Sequence, residues 1–160
     1  MIRSAATFVA VSLIATSAQA VTVWQGEAVI DTATAACNTI PSAPIRTDTV
    51  VKTVIKPKNV PGNSNLTSIS FIANTVAMFA LVLDDAGPNP DPSGTAAGFG
   101  HTSSGVIKPN IPIPYSQFVQ SPPTVTASTP DITLSGRIND FLFVTNCDVT
   151  FRAAYTKRTN

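Results

Sequence analysis

Cys147-Asp148-Val149-Thr150-Phe151-Arg152-Ala153-Ala154-Tyr155-Thr156 is the stretch that decides the fold. Cys147, Val149, Phe151, Ala153 and Tyr155 fall on one side of an extended chain, and Asp148, Thr150, Arg152 and Thr156 on the other. Successive side chains of a strand point to opposite faces, so this alternation predicts a half-buried antiparallel strand. Just upstream, Ile132, Leu134 and Ile138 alternate with Thr133, Ser135 and Arg137, which predicts a second strand of the same kind. Asn139-Asp140 is a turn candidate between that strand and the apolar run Phe141 to Val144.

Cys147 also links this stretch to the beginning of the chain. The only other cysteine is Cys37. Two cysteines so far apart, with no histidine nearby, do not form a metal-ligand set. In an oxidising compartment their default state is a disulfide. Bridged Cα atoms lie about 5.5 Å apart, so the end of the first strand region must touch the last strand. Closing a loop of about 110 residues stabilises the fold by up to about 4.7 kcal/mol in the chain-entropy description. Terminal strands that meet predict an all-β domain, either an antiparallel β-sandwich or a small closed barrel, with first and last strands adjacent and disulfide-linked.

The remaining segments agree with an all-β chain. Val21 to Ile30 places Trp24, Gly26, Ala28 and Ile30 on one face, with Trp24 as a core anchor. Ile45 to Lys56 sets Thr47, Thr49, Val51 and Ile55 against Arg46, Asp48, Lys52 and Lys56. Lys58 to Asn65 is turn chemistry. Ser68 to Leu83 is the most apolar stretch and has three readings: one long strand, two strands broken at Asn74-Thr75, or a helix. Its β-branched Ile69, Ile72 and Val76 favour strand. Asp84 to Gly105, rich in Gly, Pro, Asp and Ser, reads as one long polar loop. Val106 to Gln117 carries Pro109, Pro112 and Pro114, so it is expected to be an edge strand or a polyproline-like segment. All thirteen prolines follow residue 40, which excludes long helices over most of the chain.

The N-terminus has a different design. Arg3 supplies one positive charge, Ala5 to Ala15 is uncharged and apolar, and Ala18 and Ala20 stand in small-x-small spacing. These are the three parts of a cleavable signal peptide over residues 1–20, with a single domain over 21–160. The apolar core of about 11 residues is too short for a transmembrane anchor, which needs roughly 20. The expected location is therefore secreted or periplasmic, after cleavage near Ala20.

Charge narrows the partners. The chain has ten Lys and Arg against nine Asp and Glu, so removal of Arg3 leaves nine against nine. Nothing here forms the basic patch that nucleic acid requires. Charged residues make up only 12% of the chain, half the usual share, which suits contact with other surfaces. Self-association or another envelope protein are the partners this composition suggests.

Catalytic chemistry is poorly provided for. His101 is the only histidine, and no G-x-S-x-G elbow accompanies it. Asp84, Asp85 and Asp91, with Asn89, form an oxygen-rich cluster that calcium would favour, although it lacks alternating EF-hand spacing and a bidentate Glu. Gly98-Phe99-Gly100 lacks the context of a phosphate loop, and Asn65-Leu66-Thr67 is a glycosylation sequon. No cofactor, catalytic or metal residues are therefore assigned. The leading expectation is an exported, non-catalytic β domain that acts by binding or assembly. The alternatives are a ligand-carrying barrel with the 84–105 loop over its mouth, and then a hydrolase. An outer-membrane barrel fits the size, but it needs lipid-facing apolar alternation and aromatic girdles that the sequence lacks.

Overall fold

The computed structural model describes residues 21–40, 44–58, 60–74, 77–84, 90–102 and 105–158. Eight strands run up and down around a closed antiparallel barrel in chain order. They are β1 (Val23–Ala33), β2 (Val50–Lys56), β3 (Thr67–Asn74), β4 (Ala77–Leu83), β5 (Ser93–His101), β6 (Ile107–Ser121), β7 (Asp131–Ile138) and β8 (Val149–Arg158). Of the two architectures expected, the barrel is the one formed. β8 pairs with β7 on one side and with β1 on the other, from Val23↔Arg158 to Ala33↔Val149. First and last strands thus form the closing seam, and closure removes the free edges of an open sheet.

Small eight-stranded barrels have room inside for side chains alone or for one small ligand. This one is filled. Alternate residues of every strand point inward, including Trp24, Ile30, Ile55, Phe71, Phe79, Leu81, Phe151 and Tyr155, all essentially without solvent contact. Aromatic rings run through the interior: Tyr115 to Phe118 at 4.6 Å, Phe118 to Phe151 at 5.8 Å, Phe151 to Phe71 at 5.2 Å and Phe71 to Phe79 at 6.3 Å. Edge and tilted contacts of this kind add to the burial term. Thr53, one of three buried polar residues among those described, is satisfied. Thr53 Oγ1 donates to the Ser70 carbonyl at 2.8 Å and lies 3.1 Å from the Tyr155 hydroxyl.

Both ends are plugged. At one end Trp24 Nε1 donates to the Thr129 carbonyl at 3.0 Å, drawing the β6–β7 connection over the opening. At the other, the β7–β8 connection turns at left-handed Asp140 into a 3-10 turn, Phe141–Phe143. Phe141 then packs edge-on to Phe71 at 5.5 Å. The bridge Cys37–Cys147 joins this plug to the 3-10 turn Ala35–Thr39 after β1, with Cα atoms 4.6 Å apart. Both sulfurs are buried. The bridge therefore spans the foot of the β1–β8 seam, where the cysteine spacing demanded contact.

Of the three readings of Ser68 to Leu83, two strands is the one formed, β3 and β4, and the break at Asn74-Thr75 runs into residues 75–76, outside the described residues. Other sequence expectations are corrected. β2 begins only at Val50, after a turn through left-handed Asp48. The apolar run from Phe141 forms the end plug. The largest correction concerns Asp84 to Gly105, which is no loop over the mouth but holds β5, a full strand of the wall. Gly94, Ala96, Gly98 and Gly100 take its inward positions, so the segment lacks the bulky alternation that marks a strand. Those small residues make room for large neighbours: a Cβ on Gly98 would lie 2.6 Å from Ile113 and 3.1 Å from Phe143. Pairing on both sides, not propensity, holds β5 extended.

Candidate functional site

The outer wall is divided by charge. β1, β2, β7 and β8 carry Glu27, Asp31, Lys52, Lys56, Asp131, Arg137, Arg152, Lys157 and Arg158. β3, β4 and β5 carry no Asp, Glu, Lys or Arg, and β6 carries Lys108 alone.

On the charged half, neighbouring strands satisfy one another. The Arg152 guanidinium on β8 grips the Asp31 carboxylate on β1 through Nε and a terminal nitrogen, at 2.8 to 2.9 Å. That hydrogen bonding holds the Asp31 carboxyl below the usual carboxylate range and raises Arg152. Arg137 pairs with Asp148 at 2.8 Å. Thr32 and Thr150 hydroxyls meet at 2.7 Å across the same seam. A groove of about 470 Å³ runs across β1, β8 and β7 to the last residues of β6, floored by small residues such as Thr133, Ser135 and Ala154 and flanked by Val29, Val119 and Arg152.

The neutral half presents rows of uncharged side chains set by strand register. Ile72, Met78, His101 and Ile107 are cross-strand neighbours from β3 to β6. Ser70, Ala80 and Phe99 form the next row, and Ser68, Val82, Ala97 and Pro112 the one after. Ile107 is 76% exposed, and Met78 and Phe99 are each 37% exposed. Val106, next to Ile107, is exposed as well. Clustered apolar exposure of this kind marks contact surfaces, whereas scattered single residues do not.

β6 explains why contact there would run through side chains. Residues 107–114 pair with β5 only, because pairing to β7 begins at Tyr115↔Ile138. The Pro114 carbonyl points away from β5 and accepts from the Asn139 amide at 3.0 Å. Pro112 shares that phase, so along this stretch proline removes the N–H groups a docking strand would need. The expected edge strand is thus half realised and blunted. Farther along, Gln117 adopts φ 58° at a bulge that turns Phe118 inward. A Cβ on Gly136 opposite would lie 2.1 Å from the Phe118 ring.

Other sequence candidates are placed as follows. Cys37 and Cys147 are joined. Asp84 is exposed and Asp91 half-buried, while Asp85 and Asn89 lie outside the described residues. Among the described residues no three His, Cys, Asp or Glu side chains gather as a metal set. His101 stands in β5, facing out between Met78 and Ile107, and not in a loop. Gly98 and Gly100 are wall residues. Asn65 is exposed on the β2–β3 turn, and Thr67 is buried at the start of β3. Buried Tyr155 has its ionisation pushed above that of a free phenol by loss of solvent, against a smaller opposing effect of Thr53.

The class defined by these features is a closed eight-stranded antiparallel barrel with an aromatic core, a disulfide-pinned seam and a charge-divided wall. Comparison with family profiles, with curated proteins and with solved structures returned no match.

Proposed function

We propose that this chain is an exported, non-catalytic barrel domain that acts by binding or assembly at the cell envelope or outside the cell. The observation that carries this reading is the uncharged outer face of β3 to β6. Covering it requires almost no desolvation of ions, which is the largest cost of bringing polar walls together. The signal-like first 20 residues and the bridge fit the same location. A carrier role finds less support, since aromatic rings occupy the interior that a ligand would need. An apolar interior with nine charges on half of the strands is the reverse of a lipid-spanning barrel.

The test is fractionation of expressing cells with intact-mass measurement, reducing and non-reducing, for wild type and Ile107→Lys. A mature chain starting near Val21, oxidised and outside the cytosol, held in an assembled or surface-bound fraction that Ile107→Lys depletes, is the expected result. A chain still starting at Met1 in the cytosol, or identical distributions of both proteins, would overturn the reading.

A further inference from the structure

We infer that the β3–β6 face is a self-association surface whose occupant is the same face of a second copy. This rests on the reading above and names its partner. Three observations carry it. First, the face is complementary to itself in charge: its outward rows hold no ion, so two copies can meet with neither repulsion nor an unpaired buried charge. A partner chosen by charge would instead engage the opposite half, where the ions are. Second, the whole chain carries a net charge of only +1, so long-range repulsion between copies is small.

Third, the area fits a weak dimer. Four strands at about 4.8 Å spacing and about eight residues at 3.3 Å rise give a face of roughly 20 by 26 Å. Four of eight strands curve through half of the closed wall, so about 500 Å² per copy, or about 1,000 Å² in total, is an upper bound, at the lower limit for a specific interface. Association on the order of 100 µM is expected, not a permanent dimer. The side chains suit the role, since Phe99, Met78 and Ile107 are apolar and exposed on one surface. Prolines on β6 favour face-to-face docking over strand addition.

His101 lies within the row Ile72–Met78–His101–Ile107. Lys52 lies beyond Ile72 in the same row and marks the border with the charged half. Lys108 of β6 lines a separate pocket with Asp140 and Phe143.

Sedimentation equilibrium on the oxidised protein purified from expressing cells tests this from about 10 µM to 1 mM. The expected result is a reversible monomer–dimer equilibrium. Ile107→Lys and Phe99→Asp should each weaken it at least tenfold, and Ala154→Lys, exposed on β8 in the charged half, should leave it intact. Circular dichroism melts establish that the variants fold. Ile107, the more exposed of the two, is the safer position. A monomer at 1 mM, or a dimer indifferent to both face substitutions, overturns the inference. So does a monomer that binds phosphatidylglycerol vesicles. A monomer in solution whose cellular assembled fraction still depends on Ile107 sinks self-association alone and leaves the broader reading standing. Independence from Ile107 in both experiments sinks both.

Discussion

Strands β7, β8, β1 and β2 and strands β3 to β6 build two halves of one wall around a shared aromatic core. Outside they differ. The first half contains the seam that must be closed by residues from the two ends of the chain. It is knitted by Arg152–Asp31, Arg137–Asp148 and the Thr32–Thr150 hydroxyl pair, with Cys37–Cys147 at its foot. The second half is built from strands consecutive in sequence and joined by short connections, and it carries no cross-strand ion pair among the described residues. Surface ion pairs contribute little to stability, so the contrast is better understood as one of register and solubility. Charge specifies how distant strands align and keeps one side of the barrel in water. The other side is left free to be covered.

Removing the bridge should separate the halves most strongly. Cys37→Ser with Cys147→Ser is expected to cost up to about 4 to 5 kcal/mol in denaturant unfolding. Hydrogen exchange should show the gain in opening first along β1 and β8, while β3 and β4 keep their protection. Uniform loss across all eight strands would show that the two halves are one cooperative unit. Next comes Gly26→Ala. A Cβ there would stand 1.8 Å from the Ala154 carbonyl oxygen, backbone that cannot move without parting the seam. A loss of about 3 kcal/mol or more is expected by chemical denaturation. A near-neutral outcome would mean the seam is looser than its geometry.

A smaller effect on stability, with a large one on assembly, is expected on the neutral wall. Ile107→Lys there and Ala154→Lys on β8 of the charged half should both change unfolding free energy by no more than about 0.5 kcal/mol. Only the first should alter association, and equal behaviour of the two would erase the functional distinction between the walls. The smallest effect belongs to Asp31. Its carboxyl is held below its unfolded value by Arg152, so the stabilisation is present above the unfolded carboxylate pKa and is lost as pH falls through the folded one. Thermal melts from pH 5 down to acid should therefore show wild type losing slightly more than Asp31→Asn, with the gap shrinking in salt. No gap at low salt would remove Asp31–Arg152 from the account of the seam.

The seam half was legible in the sequence because its residues obey alternation and carry a covalent marker. Val149, Phe151, Ala153 and Tyr155 face in as their spacing requires, and Cys37 pointed to the neighbouring strand. β5 was hidden because its core contribution is an absence of side chains. Yet Gly94, Ala96, Gly98 and Gly100 recur every second residue, and that small-residue alternation is the signal that could have revealed it. The turn through Asp140 was visible, but not that the following Phe141 would fold back as a plug, because that depends on a vacancy inside the barrel. The neutral face was half visible. Ser68 to Leu83 has no charge in the sequence, but its joining to β5 and β6 as one surface exists only once the strands are paired.

The pairing of Trp24 with Lys157 also sets an order of events for the growing chain. The first strand to appear has only β2 beside it until the last strand has been delivered, so nothing can close early. Until then the sheet is an open ribbon with two raw edges and an uncovered aromatic face. Such long-range closure belongs to topologies that fold in milliseconds to seconds and not in microseconds. A chain built this way stays pliable for as long as it is being made, which suits threading through a narrow passage, and becomes rigid only when its final residues arrive.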